Sequence, residues 1–344
     1  MNFPDRIADE QMLEKLLSEP SPRLVEMMKT MDGDLMLLGI AGKVGMTMGL
    51  QAVEAIRRAG VNKKVYGVAR FSRPEAMDEL KKAGIEPVKC DLLDRKSVEA
   101  LPLVPNVVFL AGKKFGTQGA EAQTWAMNVL APTYVGEHFK NSRIVVFSTG
   151  CVYPLVGPET GGCSESVPPE PVGEYSQSCL GRERIFEYCG AKFGTKTTLF
   201  RLNYSVDLRY GVLDDIAQRV MNGLPVSRSV SHFNVIWQGD VTNYALLSLG
   251  LASNPPAVLN VTGPEIIAVE EIAEAFGRAF GKKVTYEGTP SGRCYLNNAG
   301  KCYELFGRPE APLEWLIARQ AEWLAAGGRT LGIPTHFEVN NGKF

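Results

Sequence analysis

The chain has 344 residues, 45% hydrophobic and 22% charged, which excludes wholesale disorder and collagen-like repeats. Lysine plus arginine total 37 and aspartate plus glutamate 38, so there is no basic footprint and nucleic acid is not the expected partner. At ~150 residues per domain the length holds two domains, or one with a subordinate lobe, and a core that needs no disulfide or zinc staple.

Residues 1–33 read as an appended helical arm, with Ser21-Pro22 as N-cap and first helical residue and Gly33 as a stop. From Asp34 strands and helices alternate. Strands are expected at Leu35–Ile40, Lys64–Ala69, Glu86–Cys90, Asn106–Ala111, Arg143–Ser148 and Thr197–Arg201. Helices are expected at 44–59, Pro74–Ala83, 120–140 and 174–190. Strict alternation predicts an α/β fold, a doubly wound parallel sheet with helices on both faces and ligands at the carboxyl ends of the strands. The Gly/Pro-rich stretch Pro154–Gly173 is long for a connection, and it is expected to order over bound substrate. Helices at about 211–222, 269–280 and 313–326 belong to a weaker pattern. The predicted division is an arm at 1–33, a nucleotide-binding domain at 34–205, a smaller α/β substrate lobe at 206–330 and a tail at 331–344.

The seven cysteines are odd in number and form no CxxC pair, and the N-terminal residues Met1 to Arg6 are polar, with no apolar signal core. Both features predict reduced thiols and a cytoplasmic location. The apolar runs Leu35–Ile40 and Val107–Ala111 are too short to span a bilayer, so no membrane partner is expected. His138, His232 and His336 are far apart in sequence, and no metal site is expected.

The strongest local signal is Gly39-Ile40-Ala41-Gly42-Lys43-Val44-Gly45, which closes a strand and opens a helix. Glycines there permit a tight turn and bring backbone N–H groups and the helix N-terminus to a pyrophosphate. Its spacing is GxxGxxG. The end of the second strand, Ala69-Arg70-Phe71-Ser72-Arg73, holds no carboxylate for a ribose 2′-hydroxyl. Arg70 and Arg73 instead suit a 2′-phosphate, which favours NADP over NAD.

Taken together, these residues and several later ones resemble the extended short-chain dehydrogenase/reductases, the NAD(P)-dependent epimerase/dehydratase family of sugar-modifying enzymes. The resemblance runs from about residue 34 to about 326. It implies a Rossmann domain that binds NADP or NAD through Gly39, Gly42, Lys43, Val44 and Gly45. Asp91 and Leu92 of Cys90-Asp91-Leu92-Leu93-Asp94 fall at the adenine, and Ala111-Gly112 at the nicotinamide side. Asn128 matches the family's helix asparagine. Ser148-Thr149-Gly150-Cys151-Val152-Tyr153 places Thr149 at the catalytic hydroxyl, Tyr175 falls at the catalytic tyrosine, and Asn203 lies beside the substrate. The helices at 120–140 and 174–190 resemble those of the family's four-helix dimer interface, which implies a homodimer.

In this family a tyrosinate exchanges a proton with a substrate hydroxyl while hydride moves to or from the nicotinamide. A lysine four residues later lowers the tyrosine pKa and holds the nicotinamide ribose. Here that position is Cys179, and a thiolate would act in the opposite sense. Lys113 and Lys114, after the fourth strand, are candidates to supply the charge from the substrate side, while Arg182, seven residues past Tyr175, reads as too distant. The arginine that meets a nucleotide-sugar phosphate has no obvious match in Ser231 to Val241, although Arg209 and Arg228 are near. The expected function is hydride transfer on a sugar or related hydroxy or carbonyl compound. A nucleotide-binding regulator that has lost catalysis and a simple carbonyl reductase are the alternatives.

Overall fold

The computed structural model describes residues 3–73 and 75–342. The helix start expected at Pro74, and the chain ends at 1–2 and 343–344, lie outside the described residues. The arm forms two helices, α1 (Glu10–Leu17) and α2 (Pro22–Thr30). Ser21 caps α2 as its sequence predicts, with Leu24 N–H donating to Ser21 Oγ at 3.2 Å. Leu13 and Leu17 of α1 pack with the second lobe, whereas Leu24 and Met28 of α2 pack under the main sheet. The arm therefore ties the two cores together.

The alternating segment folds into β1 (Leu35–Leu38), α3 (Lys43–Ala59), β2 (Val65–Ala69), α4 (Glu75–Lys82), β3 (Glu86–Lys89), α5 (Arg95–Glu99) and β4 (Asn106–Phe109). Then follow α6 (Glu121–Trp125), α7 (Ala131–His138), β5 (Arg143–Thr149), α8 (Gly173–Phe193) and β6 (Lys196–Leu202). The helix predicted over 120–140 is interrupted by a π turn at Ala126–Leu130, which separates α6 from α7.

After β6 follow α9 (Val212–Met221), α10 (Gln238–Leu247), β7 (Ala257–Val261), α11 (Val269–Phe280), α12 (Gly300–Phe306) and α13 (Leu313–Ala325). The main sheet has seven parallel strands in the order β7-β6-β5-β4-β1-β2-β3. This is the doubly wound Rossmann arrangement that the alternation predicts.

Two elements depart from the expected division at residue 205. All ten residues of α10 are buried, so its sequence shows no polar face and no helical period. The helix packs on α3, and β7 pairs with β6 as the edge of the main sheet. Residues 238–261 thus return to the first core, where Val241, Leu246, Leu259 and Val261 are buried. The remaining lobe is built on α9, α11 and α13 around Phe233, Trp237 and Phe276. Trp237 is core, with Trp315 edge-on to it.

Among the described residues no helix is long and apolar enough to cross a membrane. All seven cysteines are buried free thiols.

Candidate functional site

The strand order reverses between β1 and β4, and two adjoining cavities open at the carboxyl ends there. Leu110 and Gly112 line both. Gly39 adopts φ +100°, and a Cβ on it would lie 2.8 Å from the Ala111 nitrogen, so only glycine lets the β1 and β4 loops approach this closely. At Gly45 a Cβ would sit 2.5 Å from the Ile40 carbonyl oxygen. Gly45 lines neither cavity, and its role is to let the first turn of α3 close on the strand end. Gly42 is the N-cap of α3. The turn is therefore an open cradle before a 17-residue helix, which fits a dinucleotide diphosphate.

The first cavity, of about 470 Å³, brings together Gly39, Gly42, Arg70, Arg73, Asp91 and Leu92, with Ala111 on its inner wall. Arg70 and Arg73 are exposed at its rim, and Arg73 makes a loose contact with Glu79 at 3.7 Å. Asp91 turns its carboxylate onto the Leu93 N–H at 3.0 Å.

The second cavity, of about 290 Å³, collects Lys43, Val44, Lys113, Lys114, Thr149, Tyr175 and Asn203. Tyr175 lies beside the Thr149 hydroxyl and the Cys179 thiol, close enough for both to act on its ionisation. Burial pushes the Tyr175 phenol well above its ordinary range, and Cys179 and Cys151 add to that. The Arg182 charge and the Thr149 hydroxyl oppose it. Cys179 is 1% exposed and its thiol is pushed up to about 11 by burial, so it is a small buried helix residue. Asn203 is also buried, donating to the Tyr295 carbonyl at 3.1 Å.

The lysines divide. The Lys113 ammonium turns away to Gln123 Oε1 at 2.7 Å. Lys114 faces inward, with Nζ 6.0 Å from the Tyr175 ring centre, and donates to the Thr335 carbonyl at 3.4 Å. Burial pushes its pKa down. Lys43 is exposed as a residue, yet its ammonium turns inward over the Tyr210 ring, 2.7 Å from the centroid. Burial there and the nearby Lys114 charge push it down to about 7.

Three expectations need correction. Asn128 does not line either cavity. It is buried behind the wall, where its Oδ1 accepts from Lys113 N–H at 2.9 Å and from the Arg182 guanidinium at 2.7 Å, and its Nδ2 donates to Ser178 Oγ at 2.9 Å. Arg182 is not too distant: it is 4% exposed and lines the second cavity. The stretch Pro154–Gly173 lines neither cavity and is stitched to the second lobe, with Val156 and Cys294 exchanging backbone bonds at 3.0 and 2.8 Å and Cys163 N–H reaching Leu296 at 2.8 Å.

Several wall residues carried no motif. Tyr204 has φ +41°, an uncommon conformation for tyrosine. Thr335 comes from the tail and holds Asp215 through its N–H (2.8 Å) and its hydroxyl (2.5 Å). Beneath the site a buried network runs from Ser148 to Glu183 (2.5 Å), Glu183 to Arg201 (2.6 Å), and Arg201 to Tyr153 (2.7 Å). Arg209 pairs with Asp207 and Glu14, Arg228 pairs with Glu270, and neither lines the second cavity. Among the described residues no cluster of His, Cys, Asp or Glu is arranged to hold a metal.

The family model described as the NAD dependent epimerase/dehydratase family matches residues 36–206. No curated protein matches the chain in sequence. Among solved structures, the UDP-glucose 4-epimerase of Thermus thermophilus in complex with NAD is 21% identical with a TM-score of 0.68, over 84% of this chain and 98% of that one. The UDP-glucose 4-epimerase of Thermotoga maritima with UDP-glucose is 18% identical with a TM-score of 0.69, over 86% and 99%. The UDP-glucuronic acid 4-epimerase of Bacillus cereus in complex with NAD is 17% identical with a TM-score of 0.69, over 85% and 99%. At these identities the likeness is one of fold.

Proposed function

The chain belongs to the NAD dependent epimerase/dehydratase family, and we propose that it transfers hydride between a nicotinamide dinucleotide and a sugar or related hydroxy or carbonyl compound. The observation that carries this reading is the meeting of Tyr175 and Thr149 at the mouth of a glycine-cradled cleft. Gly39, Gly42, Val44 and the first turn of α3 would hold the diphosphate, with Lys43 above it. Asp91 and Leu92 would face the adenine end. Arg70 and Arg73, with no competing carboxylate at the end of β2, favour NADP, although relatives of this fold are described in complex with NAD.

When bound, the nicotinamide supplies or accepts the hydride. The rest is the work of this chain. Thr149 orients the substrate oxygen, and Tyr175 gives or takes the proton on it. Because burial keeps Tyr175 protonated in the free protein, it starts as a proton donor to a carbonyl oxygen, and it becomes a base once the proton has been handed over. Asn203, Tyr204, Tyr210 and Lys114 would surround the substrate. The second cavity is small for a nucleotide-linked sugar, and Arg209 and Arg228 are engaged in ion pairs elsewhere. Both facts support a compact substrate.

The test is consumption of reduced dinucleotide by the purified protein with a panel of carbonyl sugars, and its loss in Tyr175→Phe. The raised pKa of Tyr175 and the Cys179 thiol beside it favour a second reading, a nucleotide-binding regulator. Tight dinucleotide binding with no turnover of any panel member would select it.

The exposed apolar residues Trp125, Leu130 and Tyr188 on the helical face of α6 to α8 support a homodimer, which light scattering at micromolar concentration checks.

A further inference from the structure

The loss of a lysine at position 179 leaves two duties unfilled, a positive charge beside Tyr175 and a donor toward the nicotinamide ribose. Helical side chains lean toward the N-terminus and cover the preceding turn. Arg182, three residues beyond Cys179, therefore brings its guanidinium back over the turn from which a lysine at 179 would extend. The guanidinium presses on the β4 loop so closely that a Cβ on Gly112 would lie 2.7 Å from Nη2. Gly112 is the waist shared by the two cavities.

The burial of this charge is unusual. Glu183, its sequence neighbour, is committed to Arg201, and among the described residues Arg182 has no carboxylate partner. It is held by neutral oxygens alone: Nη1 donates to the Phe147 carbonyl at 2.6 Å, Nη2 to Asn128 Oδ1 at 2.7 Å, and Nε to the Asn128 carbonyl at 3.4 Å. A buried cation without a counter-ion is costly, and hydrogen bonds to oxygens offset only part of that cost. A guanidinium has five N–H donors, so two remain after these three bonds, on a side chain that lines the second cavity.

We propose that Arg182 takes over both duties of the missing lysine, as a fixed charge that favours the Tyr175 phenolate and as a donor to the ribose of the bound dinucleotide. The inference rests on the dinucleotide reading of the cleft given above. An arginine suits a dry position because its guanidinium stays charged where an ammonium would lose its proton. Lys114, with its Nζ 6.0 Å from the Tyr175 ring centre, has its pKa pushed down by burial, which makes it the less dependable cation. The Cys179 and Cys151 thiols also act on Tyr175. Lys43, Asp215 and Glu338 act on Lys114.

The experiment compares wild type with Arg182→Met, Arg182→Lys and the double variant Arg182→Met/Cys179→Lys. It measures thermal unfolding, calorimetric affinity for NAD⁺ and NADP⁺, and the pH profile of turnover. Arg182→Met is expected to weaken both dinucleotides by about tenfold, the size of one charge-assisted hydrogen bond. It should also move the basic group in the pH profile upward by about one unit. Arg182→Lys should fall between, and the double variant should recover most of both losses. A folded Arg182→Met that binds both dinucleotides as wild type does would overturn the proposal, as would a folded double variant as weak as the single one. If Arg182→Met does not fold, Arg182→Gln, which keeps donors for Phe147 and Asn128, takes its place under the same criteria. Wild-type protein that binds neither dinucleotide overturns the reading of the cleft itself, an outcome distinct from unchanged binding in the Arg182 variants.

Discussion

Asn128 Oδ1 accepts the Arg182 guanidinium at 2.7 Å in the wall behind the two cavities. The same oxygen accepts the Lys113 N–H at 2.9 Å, so one amide holds both the β4 loop and the α8 side chain that faces it. Both cavities are thereby braced by a residue that lines neither. Asn128→Ala should leave Arg182 and the Lys113 loop unbraced, and dinucleotide affinity should fall by about tenfold while the protein stays folded. Calorimetric titration with circular dichroism as the folding control checks this, and unchanged affinity would refute it.

Tyr175→Phe removes the proposed proton donor and leaves the cradle intact. Turnover is expected to drop by about 10² to 10⁴, with dinucleotide affinity within about twofold of wild type. Steady-state rates read from reduced-nicotinamide absorbance decide it. A Phe variant that retains full activity would remove Tyr175 from the chemistry.

The exposed pair Arg70 and Arg73 is proposed to read a 2′-phosphate. Replacing both with alanine should cost NADP⁺ about tenfold or more in affinity and leave NAD⁺ nearly untouched. Equal losses for the two, or none, would show that these arginines are solvated surface charges.

Lys43 has a pKa of about 7 in the free protein, lowered by burial and by Lys114. A lowered lysine pKa means that the charged form is disfavoured, and a dinucleotide diphosphate placed beside it would favour that form again. Affinity should therefore rise as pH falls from about 9 to about 6, with proton uptake on binding above pH 7. Titrations in buffers of different ionisation enthalpy measure that uptake. Lys43→Met should abolish it; persistence of the uptake in that variant would assign it to another group.

Asp214 is 3% exposed and its carboxyl is pushed up to about 7 by burial, against hydrogen bonds from Gln218 and Gln320. A folded pKa above the unfolded one gives stability that is fully present below about pH 4 and is lost as pH rises through about 7. Asp214→Asn should consequently stabilise the fold at pH 8 by about 1–3 kcal/mol and give no gain near pH 4. Urea unfolding at the two pH values tests the sign, and a gain of equal size at both would contradict it.

The sequence by itself determined the sheet and the cradle. The strands β1 to β6 and the Gly39-to-Gly45 turn depend on short-range facts, namely apolar runs of strand length and glycines where backbones must approach, and the sequence carries these locally. The helix α10 was not legible, because a helix buried on all sides has no polar face to mark its period. The π turn at Ala126–Leu130 left no pattern either. The site divides in the same way. Tyr175, Thr149 and the residues of the glycine-cradled cleft follow from motif order along the chain. The choice between Lys113 and Lys114, the reach of Arg182, the withdrawal of Asn128 behind the wall and the arrival of Thr335 from the tail depend on where side chains point once distant segments pack together. Only the tertiary structure decided these, because charge and hydrogen bonding act through space, and sequence spacing fixes that distance only within a single helix or strand.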